Sequence, residues 1–282
     1  MLYYPWITQN IDPGVIDREV RRFAAVLQNA IAAASGASAV VQVLPPLDVP
    51  KQVEVIAGGG CEIGLMNPLG YVFAHRRNAS VESIALAQRI INGQVGDTYY
   101  AQVYVNKRSA IRKAEQLRGR AIGYGTPYST SNFLIPALEI KKTGLHPFAG
   151  FSRIEFVGGH ELVAKAVYEG RLDIGAGHDG VIADLSNQYG YGDAAEKLVT
   201  ILRSDPIPSD PVAVNVTDAA TRKLLQDALV TSGGTPDGRQ ALAIFWGNVQ
   251  GLSRTTADAY ASLETALTQL GLSETDLLKK GA

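Results

Sequence analysis

At 282 residues, with 46% hydrophobic and 19% charged side chains, the chain has the composition of an ordinary globular protein, long enough for two compact lobes with a core each. That excludes a disordered chain or a coiled coil. The formal net charge of -1, without any long basic or acidic run, argues against nucleic acid or an anionic membrane surface as the principal partner, so a bound anion must be held by local donors.

Met1 leads directly into Leu2-Tyr3-Tyr4-Pro5-Trp6, which reads as a first strand. Asp12-Pro13 starts a helix whose apolar positions Val20, Phe23, Ala24, Leu27, Ala30 and Ile31 recur at helical spacing up to Gly36. Ala39 to Val43 is expected as a strand, Asp48 and Pro50 open a short helix closed by Gly58-Gly59-Gly60, and Cys61 to Met66 runs as a strand into the loop Asn67 to Tyr71. This alternation predicts a mostly parallel sheet. The triple glycine follows a helix and precedes a strand, the reverse of a dinucleotide-binding turn. The single Cys61, with no second thiol and no His/Cys spacing, makes neither a disulfide nor a zinc or redox site, and no cofactor or metal is expected.

Ser83 to Gln88 and the long run Tyr99 to Val105 are further strands, the second followed by the charged stretch Asn106 to Ser109, which suggests a crossover between lobes. Beyond it the pattern predicts a strand Arg120 to Tyr124, a helix Phe133 to Thr143, a strand Arg153 to Val157, a helix His160 to Tyr168, a strand Leu172 to Ala176, a helix Gly180 to Asn187 and a strand Leu198 to Arg203. The loop Ser204 to Pro211 carries three prolines in eight residues, a stiff return path to the strand Val212 to Val216. Everything after Thr217 reads helical: Asp218 to Ser232, Arg239 to Phe245, Thr255 to Leu270 and Glu274 to Lys279. The organisation expected is one lobe from residues 1–105 and 207–282, with residues 106–206 inserted as the second. No stretch reaches the roughly eighteen to twenty apolar residues that span a bilayer, nor is an export signal recognisable, so a protein working outside the cytoplasm is expected to have had a signal or lipidated leader removed.

The stretch with chemistry is Gly123-Tyr124-Gly125-Thr126-Pro127-Tyr128-Ser129-Thr130-Ser131-Asn132-Phe133, read with Gly158-Gly159-His160. Three hydroxyls fall at a strand-to-helix junction, where the first N–H groups of the helix lack internal partners and the helix dipole is positive, which makes a cup for phosphate-like oxygens. Pro136 requires the helix to begin close to Ser131 to Phe133. The plainer alternative is an ordinary Ser-Thr-Ser cap on a surface loop.

These residues resemble a known family, the type II periplasmic solute-binding proteins of phosphate, phosphite and phosphonate ABC transporters. The resemblance rests on Tyr99-Tyr100 heading a strand that ends in Asn106-Lys107, on Ser129-Thr130-Ser131 followed by Pro136, on Gly159-His160-Glu161, on Gly170 to Asp173, and on Ile207 to Pro211, in register over nearly the whole chain. It implies an α/β protein of two lobes, each a mixed, mostly parallel sheet flanked by helices, closing on a ligand in the cleft between them. It further implies that Ser129, Thr130, Ser131 and His160 hold the phosphonyl oxygens, with Tyr99 as a cleft tyrosine and Asp210 as a cleft carboxylate; Tyr71 and Asp179 are added as candidates.

The expected partners are a small oxyanion and an ABC permease, the location periplasmic or extracytoplasmic with anchoring through a leader, and the protein a monomer without nucleic acid. Three departures matter: Val49 stands where aminoalkylphosphonate binders of the family have a tyrosine, Gly180 where they have a glutamate, and Asn132 where a glycine follows the hydroxyls. The cup is kept and the wall is rebuilt. Asp179 and Asp210 remain open as holders of an ammonium group or as acceptors from a protonated oxyanion, and an acceptor carboxylate would discriminate by protonation state because a fully ionised ligand meets repulsion.

Two other classes stay in view. Ser129 or Ser131, His160 and Asp179 supply the residue types of a hydrolytic triad, but there is no G-x-S-x-G elbow and three adjacent hydroxyls resemble a donor cluster more than one activated nucleophile, so no enzyme is expected. A sensor handing its signal to a membrane kinase, or a binder of another small anion, would share the fold.

Overall fold

The computed structural model describes residues 1–4, 11–91, 94–247 and 249–278; Pro5 and Trp6 of the expected first strand and Lys279 of the last helix lie outside them. In chain order the elements are α1 (Pro13–Ser35), α2 (Val49–Ala57), β1 (Ile63–Leu65), α3 (Pro68–Arg77), β2 (Val81–Ile91), β3 (Gln94–Gly96), β4 (Thr98–Tyr99), β5 (Ala101–Asn106) and β6 (Ala121–Tyr124). There follow α4 (Ile135–Lys142), β7 (Arg153–Phe156), α5 (His160–Tyr168), β8 (Ile174–His178), α6 (Val181–Ser186), α7 (Ala194–Lys197), β9 (Leu198–Arg203) and β10 (Ile207–Pro208). The remainder is β11 (Pro211–Asn215), α8 (Ala219–Gly234), α9 (Pro236–Trp246), β12 (Val249–Arg254), α10 (Ala261–Leu270) and α11 (Glu274–Leu278). The chain divides into two compact units, Met1–Thr98 with Pro208–Ala261, and Tyr99–Ile207 with the segment from Ser262 on.

The expected division differs from this in two places. Strand β5 pairs with both β8 and β9, so it lies inside the second unit rather than at the end of the first. The segment carrying α10 also belongs to the second unit, where Lys141 of α4 donates to the carbonyl of Gln269.

In the first unit α1 is fixed at both ends: the Asp12 carboxylate accepts from the N–H groups of Gly14 (2.8 Å) and Val15 (3.3 Å), and Gly36 closes it at φ 69°. Its apolar stripe Val20, Phe23, Ala24 and Leu27 is buried in one core with Leu229, Leu242, Phe245 and Trp246 from α8 and α9. The sheet runs β1-β11-β2-β12 with β3 on β2, and every one of these pairings is antiparallel. The expected mostly parallel sheet fails here for a topological reason. Strands β1 and β2, joined through α3, do run in the same direction, but β11 returns from the second unit and inserts between them. Among the described residues of this unit the parallel contact is the single bridge of Leu2 with Gly64.

Three local expectations are also corrected. Asn67 to Tyr71 is the first turn of α3, not a loop: the Asn67 amide oxygen accepts from Gly70 N at 2.7 Å and Pro68 follows it as the first helical residue. Ala39 to Val43 is not a strand; its stretch makes isolated bonds, the Met1 ammonium donating to Gln42 O at 2.6 Å and Leu44 N to Met1 O at 3.0 Å. The part after Thr217 contains β12, antiparallel to β2 with a register shift next to Gly251.

The second unit has the order β7-β6-β8-β5-β9. Strands β7, β6 and β8 are parallel, with Tyr124 opposite Phe156 and Gly123 opposite Gly175, while β5 runs antiparallel to β8 and β9, with Ala101 opposite His178 and Gln102 opposite Arg203. The carboxyl ends of the three parallel strands, the start of β5 and the end of β9 therefore share one edge. Helices α5 and α6 cover the sheet through Val163, Val167, Val181 and Leu185, packed around Tyr104. Tyr104 donates to Ala176 O at 3.2 Å, and its ring lies 2.6 Å from where a Cβ on Gly175 would stand. Gly175→Ala is therefore expected to destabilise the protein by about 1–3 kcal/mol through overpacking against a ring that cannot swing aside. Gly192→Ala, with open space around it, is expected to stay within about 0.5 kcal/mol. Urea unfolding of the two variants checks both.

Candidate functional site

The residues Ser129, Thr130 and Ser131 leave β6 at the shared edge and begin a π turn, Thr130–Leu134, that runs into α4. Leu134 N donates to Ser129 O at 3.1 Å, five residues back, so this start leaves one more N–H group without an intrahelical acceptor than an α turn would. The helix thus opens where Pro136 required it. Ser129 caps it, its hydroxyl oxygen accepting from Asn132 N at 3.2 Å; the hydroxyl proton itself stays free to be donated elsewhere. Thr130 and Ser131 are 2% and 4% exposed, so the turn that Ser129 caps is folded into the unit rather than standing on a surface loop. Asn132 is fully buried, with its amide 2.8 Å from the position of a Cβ on Gly125; it fills the space above that glycine.

Next along the edge, His160 is the first residue of α5, after Gly158 at φ 100°. Its Nδ1 accepts from the backbone N–H of His178 at 3.3 Å, which leaves the proton of the neutral ring on Nε2. Desolvation, and after it the charge of His178, holds the His160 pKa well below its ordinary 6.5. At neutral pH it is an uncharged Nε2–H donor. The ring of His178 lies 4.7 Å away, its Nδ1 accepting from Gly180 N at 3.2 Å and its Nε2 facing the Asp184 carboxylate at 3.5 Å. Sequence reasoning assigned no part to His178. The signal for it was its place one residue before Asp179, at the end of a strand.

Asp179 follows β8 and its N–H donates to Tyr100 O at 2.9 Å, which puts the Tyr99-Tyr100 pair beside it. The guanidinium of Arg203, stacked 3.9 Å above the Tyr100 ring, approaches the Asp179 carboxylate to 3.7 Å. Hydroxyl cup, imidazole, carboxylate and tyrosine pair all stand at one end of one sheet, the end where open α/β sheets take their ligands.

The other two candidates belong to the first unit. Asp210 precedes β11; its carboxylate receives Arg89 at 2.5 Å and the Tyr4 hydroxyl at 3.2 Å, and Arg89 also donates to the carbonyls of Trp246 (2.5 Å) and Gly247 (2.8 Å). Tyr71 is enclosed, 1% exposed, its ring 4.9 Å from that of Tyr260, and burial pushes its pKa up to about 12. Among the described residues no group of three or more His, Cys, Asp or Glu side chains is placed to hold a metal, and no helix is long and apolar enough to cross a membrane.

The chain aligns at 24% identity over 205 residues with the phosphate-import protein PhnD of Mycolicibacterium smegmatis; this is 68% of the chain and 63% of the relative, so it spans less than two thirds of that protein. Among solved structures, XAC2383 from Xanthomonas citri bound to chloride ion superposes with a TM-score of 0.77 at 18% identity, covering 96% of this chain and 97% of the other. PhnD1 from Prochlorococcus marinus in complex with methylphosphonate gives 0.74 at 17%, again over 96% and 97%. These likenesses establish the fold as that of the two-lobed type II periplasmic binding proteins. A family profile described as "ABC transporter, phosphonate, periplasmic substrate-binding protein" matches residues 7–260, and the chain belongs to that family.

Proposed function

We propose that this protein is the solute-binding component of an ABC importer and captures a phosphorus oxyanion, phosphonate, phosphite or phosphate, handing it to a membrane permease. The observation that supports this most is the placement of the Ser129–Ser131 turn after β6 and of His160 after β7, both beyond the carboxyl ends of these adjacent parallel strands. A tetrahedral anion there is met by hydroxyl protons, by N–H groups at two helix starts and by a neutral imidazole N–H. Recognition involves no covalent step, and no turnover is expected on phosphate or carboxylate esters. Closure of the two units on the ligand, anchoring through a leader and a monomeric state, all expected from the resemblance, belong to the same proposal.

Ser129→Ala, Thr130→Ala and Ser131→Ala are each expected to weaken binding of phosphate, phosphite or methylphosphonate by about 1–3 kcal/mol, the range for a hydrogen bond to a charged group. Calorimetry in which all three variants bind as the parent does would remove the cup from the account. Ligand is further expected to lower the radius of gyration in small-angle scattering; an unchanged value argues against closure.

His160 supplies a pH test with a definite sign. Its folded pKa lies below the unfolded 6.5, so the unfolded chain takes up the proton first and stability is lost as pH falls from 6.5 towards the folded pKa. Melting temperatures of the free protein between pH 7 and 5 should fall, and less steeply in His160→Asn. Above pH 6.5 the donor is neutral, so anion affinity corrected for ligand ionisation should stay flat to pH 8. A decline that disappears in His160→Asn would mean that the ring binds as a cation.

A further inference from the structure

Two carboxylates in this chain are candidates for holding an ammonium group on the ligand, and each already faces a guanidinium. Asp210, 13% exposed, is tied to Arg89 at 2.5 Å and to the Tyr4 hydroxyl, and Arg89 is itself held by two backbone carbonyls. Asp179, 28% exposed, faces Arg203 at 3.7 Å, and Arg203 is held flat on the Tyr100 ring at 3.9 Å. The register puts Arg203 opposite Gln102, one residue past Ala101, which lies opposite His178. Asp179 and Arg203 therefore stand on the same sheet edge as the hydroxyl turn, with Asp179 nearer to it and Arg203 flanking it on the outer side.

An ammonium group entering a closed site loses its hydration and recovers that cost only against a carboxylate whose charge is not already met. Beside Asp179 it finds instead the positive charge of a half-exposed guanidinium lying over the Tyr100 ring, which repels it. A second anionic group on the ligand fares no better, because Asp179 is itself within reach of the same guanidinium. The pair is neutral as a unit and suits a substituent without charge.

Resting on the oxyanion reading above, we propose that Arg203, stacked on Tyr100, masks Asp179 and so sets the preference of this site for phosphorus oxyanions with a small uncharged substituent, hydrogen, hydroxyl or methyl, over phosphonates that carry an ammonium group.

The test is calorimetric titration of phosphite, phosphate, methylphosphonate and 2-aminoethylphosphonate against the parent protein, Arg203→Met and Arg203→Met/Asp179→Asn. Methionine keeps an apolar contact with Tyr100 and removes the charge. The parent is expected to bind the best compact anion about tenfold or more tightly than 2-aminoethylphosphonate. In Arg203→Met that ratio should shrink by about tenfold as the repelling charge beside Asp179 is removed, and the double variant should restore it. Arg203→Lys, which keeps the charge, should keep the preference; it serves as the readout should the methionine variant fail to fold, since loss of the preference with the charge retained would overturn the assignment. A parent that prefers 2-aminoethylphosphonate, or an Arg203→Met variant with an unchanged ratio, overturns this inference alone. If none of the four ligands binds, the oxyanion reading fails and this inference with it.

Discussion

The site depends on the matched register of three parallel strands. With Tyr124 opposite Phe156 and Gly123 opposite Gly175, β6 and β7 end at one level and β8 two residues beyond it, and the segments that follow them are delivered to one end of the sheet. The hydroxyl turn, His160 and Asp179, far apart in sequence, are brought to the same end of the sheet by this register. Close packing behind the edge holds the register: Gly175 lets the Tyr104 ring lie against β8, and the tyrosine hydroxyl anchors on the next carbonyl of the same strand.

The electrostatics at this edge are those of oriented dipoles. Hydroxyls, helix-start N–H groups and a neutral imidazole carry no net charge, yet in the proposed site each can offer a hydrogen to an oxyanion. Two carboxylates, one in each unit, already face a guanidinium: Asp179 that of Arg203 and Asp210 that of Arg89. Such an arrangement fits a chain whose net charge is -1 and the proposed capture of an anion without a cationic patch that would draw in polyanions indiscriminately.

Much of this was legible in the sequence because the signals were local. Helix α1 carries its start and stop in Asp12 and Gly36, and α5 begins at His160 and ends at Tyr168 as its periodicity required. The position of the hydroxyl turn followed from Pro136. What was not legible is non-local. Insertion of β11 between β1 and β2 joins segments from opposite ends of the first unit, and no periodicity encodes that choice. Strand β12 was hidden because it is short and interrupted at Gly251 by a register shift, and α3 because Asn67-Pro68 serves equally well to open a helix or a turn. The arginine partners of Asp179 and Asp210 depend on strand pairing across the sheets, so the sequence offered the carboxylates as free when the fold had already matched them.

The bond from the His178 amide to Nδ1 of His160 also bears on the heat of capture. A ring that needs a proton to grip an anion draws it from the buffer, so part of the measured enthalpy belongs to the buffer's own ionisation. Here the backbone has set the tautomer in advance, and the hydrogen that the proposed grip calls for is already in place on Nε2. In the proposed capture this imidazole exchanges no proton with the surroundings above pH 6.5, and its share of the enthalpy is then the same in buffers that differ widely in their heats of ionisation.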